Sequence, residues 1–229
     1  MSHIVRYCSH VVEHTISGVG VLDKSFAVLA AVEHGPASLA GLVDATGLSR
    51  ATVHRLAVAL EDHGFLRRTA DGRFALGLHL VALARRATEQ FPLAEAAAPS
   101  METLRQQTGE SVQLYVADGD QRVCVAALES PHGLRTIVPV GAALAMDRGS
   151  AGRVLSGETS RAGWVQTVAE REPGVASVSA PVCDAEGRVV AAVSISGPAE
   201  RLGRSPGRRH GAAVVDAAQR IAAQLVGTN

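Results

Sequence analysis

Arg50, Thr52, His54 and Arg55 crowd the chain just after Ser49, and Arg67, Arg68 and Arg73 flank an Asp71-Gly72 turn. Guanidinium, imidazole and hydroxyl groups gathered in this way suit phosphate oxygens and base edges, the surfaces that duplex DNA presents. A second group stands at strand spacing: Ser177 and Ser179, then Ser194 and Ser196. Residues two apart on a strand share a face. These hydroxyls would line one side of a sheet, where small side chains leave volume for a small polar metabolite. Periodicity alone favours the plainer reading, ordinary exposed strand serines. The chain is read as lacking a catalytic constellation, with no Gly-x-Ser-x-Gly, no His-Glu-x-x-His and no Cys-x-x-Cys. No enzyme, metal or cofactor is expected.

Elements must position both groups. Ser38 and Ser49 each precede an apolar-periodic run, where a hydroxyl can cap the free amides of a first helical turn. Gly47 between them can take the left-handed conformation that ends one helix and turns the chain into the next. Val53, Leu56, Ala57 and Leu60 recur at helical spacing and form the stripe to be buried. Ala51, Arg55, Val58 and Asp62 then lie opposite, with Arg50, Thr52 and His54 at the N-terminal flank. Two short helices followed by a hairpin give a winged helix-turn-helix, whose second helix enters a major groove. Such a unit can also serve as a protein-interaction module. Charge does not decide the matter in bulk, since residues 18–90 hold eight Lys+Arg against seven Asp+Glu and the whole chain is formally neutral. Affinity for DNA must come from charge placement and from paired half-sites.

Composition allows packed cores of Ala, Val and Leu: 47% of residues are hydrophobic but only 3% aromatic. No apolar run approaches the roughly 20 residues of a membrane span. Cys8, Cys124 and Cys183 are odd in number and far apart, which fits a reducing cytosol and a cytoplasmic protein. Cys124 reads as an inert core thiol; His132 and His210 read as surface residues. Residues 1–17 read as a disordered extension or an upstream start. Gly18 and Gly20 lack the third glycine of a dinucleotide loop, and Asp23 stands where Lys24-Ser25 would need a glycine to cradle phosphate. A helix cap is the simpler reading there, opening a first helix that ends before Gly35-Pro36.

Past the wing, Leu78–Arg86 reads as a linker helix broken by Phe91-Pro92, and Leu93–Gln107 as another helix. Periodicity then changes to two. Ser111–Ala117 and Arg122–Glu129 flank Asp118-Gly119-Asp120, Arg135–Val140 is a further strand, and Val175–Cys183 and Arg188–Ser196 flank Asp184–Gly187. Ala212–Val226 closes the chain as an amphipathic helix. The expected class is α+β with an antiparallel sheet. The expected domains are a winged helix-turn-helix at 18–77, a linker helix at 78–91 and an effector domain at 92–229.

The sequence resembles the IclR family of bacterial transcriptional regulators. The resemblance runs from about Gly18 to the C-terminus. It is carried by Val21-Leu-Asp-Lys-Ser25, Leu39 to Leu56, Gly72-Arg-Phe-Ala-Leu-Gly77, Gly109-Glu-Ser-Val-Gln-Leu-Tyr115 and Val189-Val-Ala-Ala-Val-Ser-Ile-Ser-Gly-Pro198. It implies a DNA-binding winged helix-turn-helix, a GAF-like effector domain, and homodimers or homotetramers on palindromic operators, acting as repressors or activators. Side-chain chemistry and placement on that second helix and wing give DNA-contacting roles to Ser49, Arg50, Thr52, His54, Arg55, Arg67, Arg68 and Arg73. By the same likeness the effector pocket falls on Met146, Ser150, Ala151, Gly152, Glu172, Ser177, Ser179, Ser194 and Ser196. Within the family, Tyr115 to Glu129 and Arg171 to Pro181 look most like actinobacterial regulators of leucine and other amino-acid biosynthesis genes.

One departure stands out. Family members carry a longer helical segment between the helix at Gly152–Leu155 and Trp164, where Gly157-Glu-Thr-Ser160 is nearly all that remains here. It reads either as a deletion, which would open one pocket wall, or as residues missing from the chain. The competing function is an effector-independent DNA-binding protein whose vestigial sensor domain serves only oligomerisation.

Overall fold

The computed structural model describes residues 18–90 and 92–226, in two compact units divided between Gln90 and Phe91. The extension expected at 1–17 lies outside the described residues. In the first unit, α1 (Gly20–Ala30), α2 (Leu39–Thr46) and α3 (Arg50–Asp62) precede a hairpin, β1 (Leu66–Arg68) and β2 (Phe74–Leu76), and α4 (His79–Gln90). Ser38 Oγ accepts from Gly41 N at 3.1 Å and Ser49 Oγ from Thr52 N at 3.3 Å, so both hydroxyls cap. Gly47 ends α2 at φ 66°, a conformation a side chain would strain. The apolar stripe of α3 is inward: Val53 and Ala57 pack with Val28, Leu42, Leu66 and Phe74, flanked by Leu56 and Leu60. α1 differs from expectation at its start. Val19 is its N-cap and makes no side-chain cap, while Asp23 falls in the first turn.

The second unit is an antiparallel sheet of six strands in the order β5-β4-β3-β8-β7-β6. In chain order these are β3 (Ser111–Asp118), β4 (Gln121–Leu128), β5 (Ala143–Ala145), β6 (Val165–Val168), β7 (Val175–Cys183) and β8 (Val189–Pro198). Four helices accompany them: α5 (Leu93–Thr108) before the sheet, α6 (Ser150–Leu155) between β5 and β6, and α7 (Ala199–Leu202) and α8 (Pro206–Val226) after it. α5 and α8 cover one face, where Met101, Leu104, Val214 and Ile221 bury Val112, Leu114, Val178, Val182, Val193 and Ile195. The architecture is the expected α+β, a helix-turn-helix unit and an antiparallel-sheet unit.

Three readings are corrected. Arg135–Val140 is not a strand. The Thr136 carbonyl accepts from Ser111 Oγ at 2.7 Å, Pro139 has no N–H, and Val138 is buried against Cys124 and Leu144, so side chains hold this stretch where a ladder would. The third strand beside β4 is β5 instead, pairing through Ala143 to Ala145. The closing helix begins six residues earlier than Ala212, at Pro206. Proline suits a first turn because its missing N–H would be unsatisfied there anyway, and the Trp164 ring packs on Gly207 and Gly211, giving this poor helix-forming stretch a tertiary support. His210 is therefore buried, 7% exposed, and not a surface residue.

Candidate functional site

The α3 surface is built from its caps outward. The Ser49 and Thr52 hydroxyls lie 2.9 Å apart and tie the first turn together. Beyond them Arg50, His54 and Arg55 are exposed. Among the described residues neither arginine makes a hydrogen bond or ion pair, so both guanidiniums are available to an incoming polyanion.

The wing divides its arginines. Arg68 donates from Nε to Glu61 at 3.3 Å and from Nη1 to the Gly72 carbonyl at 3.1 Å. Its guanidinium stacks 3.8 Å from the Phe74 ring centroid. Arg73 pairs with Asp71 at 2.9 Å. Both brace the hairpin, whereas Arg67 is exposed and, among the described residues, unpaired. All three were expected to face phosphate, and the structure leaves Arg67 the freest to do so.

In the second unit, strand register assembles the serines. Ser179 stands opposite Ser194, Ser177 opposite Ser196, and Gln113 of β3 opposite Ser194. These serines are buried, apart from the partly exposed Ser177, so they are not ordinary exposed strand residues. α6 closes over them. Ser150 Oγ lies 2.7 Å from both Ser177 Oγ and Ser179 Oγ, and its amide donates to Thr167 Oγ1 at 3.1 Å. Ser179 donates to Ser194 at 2.8 Å, and Ser196 donates to Gln113 Oε1 at 3.0 Å. Glu170 fixes the approach to α6, accepting from Gly149 N at 2.9 Å and from Arg153 Nη2 at 2.6 Å. A Cβ on Gly152 would collide with the Met146 carbonyl and meet Arg122, so only glycine lets that loop fold down.

Beneath α6 lies a small, nearly filled cavity of about 20 Å³, room for about one water. Of the residues singled out by likeness, Ser150, Ala151, Ser177, Ser194 and Ser196 line it. Ser179 sits one layer behind, Met146 and Gly152 shape the loop, and Glu172 pairs with Arg171 at 3.7 Å. Sequence reasoning missed Tyr115, Arg122, Thr167 and Arg171, which also line the cavity. Arg122 was findable: it is in phase with Cys124, the inward residue of β4. Burial holds the Tyr115 hydroxyl well above its usual range and pushes the Cys124 thiol up to about 12. Cys124 thus stays a neutral core thiol.

The reading that the chain has no Gly-x-Ser-x-Gly is corrected by Gly203-Arg-Ser205-Pro-Gly207, which has the spacing of a nucleophile elbow. That motif needs a strand running into a helix. Ser205 instead lies in the turn between α7 and α8, exposed and followed by proline. No group of His, Cys, Asp and Glu among the described residues is placed to hold a metal ion, and no described helix is long and apolar enough to cross a membrane.

Comparison with known proteins agrees with both units. Residues 21–70 match the IclR helix-turn-helix domain. Residues 85–162 and 157–223 match the bacterial transcriptional regulator IclR C-terminal domain, in two stretches that meet where the shortened segment lies. The chain is 34% identical over 119 residues to the HTH-type transcriptional regulator KipR of Bacillus subtilis, covering 52% of this chain and 48% of that protein. It is 24% identical over 229 residues to the transcriptional repressor IclR of Escherichia coli, covering 83% of this chain and 84% of the relative. The fold matches a crystal structure of an IclR homolog complexed with 4-hydroxybenzoate from Microbacterium hydrocarbonoxydans, with TM-score 0.77 and 22% identity over 90% of this chain and 99% of that one. The IclR of Thermotoga maritima matches with TM-score 0.74 and 21% identity over 90% and 98%. With models of both halves matched, this chain belongs to the IclR family of transcriptional regulators, DNA-binding proteins with a C-terminal effector domain and not enzymes.

Proposed function

We propose that this protein is an operator-binding regulator of the cytoplasm that works as a homodimer or homotetramer and whose C-terminal domain senses a small polar metabolite. The observation that carries the reading is the double cap of Ser38 and Ser49 around Gly47, which projects α3 with Arg50 and Arg55 exposed and unpaired. Assembly is supported by apolar side chains left outside the first unit's core. Val21 and Phe26 of α1 are 60% and 55% exposed, and Val81 of α4 is 66% exposed. A second copy would cover them. Two linked half-sites would raise the affinity of a neutral chain through effective concentration.

In this reading Ser49, Arg50, Thr52, His54 and Arg55 meet the major groove and Arg67 a flanking phosphate, with Arg68 and Arg73 stiffening the wing. The polar sheet face under α6 takes the effector, a reading supported by the polar lining there and by the 4-hydroxybenzoate-bound homolog. The pathway assignment, amino-acid and in particular leucine biosynthesis genes, rests on the likeness of two stretches alone. Fragments selected from genomic DNA on the immobilised protein serve as operator probes. Arg55→Ala is expected to weaken a selected fragment in a mobility-shift titration by about 1–3 kcal/mol, the worth of one bidentate base contact. Unchanged affinity in both Arg55→Ala and Arg50→Ala would overturn the assignment of α3.

A further inference from the structure

The second unit pairs most of its surface arginines with acids of its own. Arg105, Arg135, Arg153, Arg188, Arg201 and Arg220 each lie 2.6–2.9 Å from a carboxylate oxygen. Apart from Arg161, the exceptions on the surface gather in one place, the turn between α7 and α8 and the first turn of α8. Arg204, Arg208 and Arg209 are exposed there, and among the described residues none of them makes an ion pair. Glu200 of α7 is the exposed acid nearest in the chain, and it makes none either. Three guanidiniums within six residues of chain, against one carboxylate, leave a positive patch.

The patch is made of side chains alone. The first amides of α8 are taken: Gly207 N donates to Gln166 Oε1 at 2.7 Å and Arg208 N to the Ser205 carbonyl at 3.1 Å. The helix end is therefore no cradle for a compact anion. Nor does this face suit a protein partner, whose interface would centre on aromatic or large apolar anchors. Among the described residues, none of the exposed large apolar side chains belongs to α7 or α8. The Trp164 ring nearby is spent against Gly207 and Gly211, so a single strand would find no aromatic platform for its bases. The phosphates of a duplex ask only for spaced positive charge. Further along α8 the exposed neighbours are Ala212 and Gln219, small or polar. In a chain with no net charge, charge placed in this way is what a polyanion can respond to.

We propose that Arg204, Arg208 and Arg209 at the start of α8 bind the phosphate backbone of duplex DNA, a second and sequence-independent contact made outside the helix-turn-helix. The proposal rests on the chain's being a DNA-binding regulator and adds a surface to that reading. It is tested by titrating the full-length protein into two fluorescent duplexes over a range of salt concentrations. One duplex is a selected genomic fragment and the other an unrelated sequence of the same length. The patch variant combines Arg204→Gln, Arg208→Gln and Arg209→Gln. A control variant combines Arg135→Gln, Arg148→Gln and Arg188→Gln, and so loses the same formal charge elsewhere on the second unit.

Each phosphate neutralised contributes about 0.9 to the slope of log affinity against log salt concentration. The patch variant is therefore expected to give a slope shallower by about 2–3 for each protomer engaged, on both duplexes. Its preference for the selected fragment should match that of wild type, because phosphate contacts carry no sequence. The control should keep the wild-type slope. A wild-type slope in the patch variant, or an equal loss in the control, would overturn the proposal. Polyglutamate that bound wild type more tightly than the unrelated duplex, and lost that affinity in the patch variant, would also overturn it and give the face to an acidic protein. If wild type showed no preference for the selected fragment, the reading of α3 would fall, while the slopes on the unrelated duplex would still decide this proposal.

Discussion

The two faces of the six-stranded sheet share the same strands and differ by one residue of register. On one, Val112, Leu114, Val193 and Ile195 are packed under α5 and α8. On the other, Gln113, Ser194 and Ser196 are joined to Ser179 and Ser150 by hydrogen bonds under α6. Both are buried, so burial alone does not separate a core from a site. Chemistry does. The apolar face gains free energy roughly in proportion to the area removed from water. The polar face keeps its groups satisfied through a hydroxyl network and still leaves one guanidinium nitrogen without a partner. A fold needing only stability could fill that space with methyl groups.

Substitutions on neighbouring residues of β8 sharpen the contrast. Ile195→Ala empties a fully buried position on the apolar face and is expected to cost about 2–5 kcal/mol in urea unfolding. Ser194→Ala, one residue earlier and on the opposite face, removes the acceptor of the Ser179 proton and is expected to cost about 1 kcal/mol. Equal losses would mean that the polar face carries the fold as much as the apolar one does.

A smaller effect is set by pH. His210 of α8 is buried, and burial first, then the neighbouring Arg209, hold its pKa below the usual 6.5, with Glu110 pulling the other way. The unfolded chain therefore takes up the proton before the folded one does. The stability from this residue is complete above about pH 6.5 and declines as pH falls through the lowered folded value. His210→Gln should flatten that decline in thermal melts across mildly acid pH. A decline of the same slope in the variant would assign it to other groups.

The helix-turn-helix was legible because its determinants are local. Ser38, Gly47 and Ser49 act on amides within three or four residues of themselves, so spacing alone reveals them. The sheet alternation was legible for the same reason, down to which serines share a face. What escaped notice depends on distant partners. Arg135–Val140 has strand-like composition, but Ser111 and the pocket for Val138 decide its course. The first turns of α8 rest on Trp164, far away in sequence. The wing arginines looked alike until Glu61, Phe74 and Asp71 were seen to engage two of them. Arg122 could have been found, since an arginine in phase with an inward cysteine is a signal, but its missing partner shows only in three dimensions.

The most direct test of the central claim follows the fluorescence anisotropy of a selected genomic fragment with and without a deproteinised metabolite extract. It compares wild type with the double variant Ser194→Val and Ser196→Val. The account predicts equal affinity for DNA in the absence of extract, a change of affinity on adding extract to wild type, and no change in the variant. A change of the same size in both proteins, or none in wild type, would contradict it.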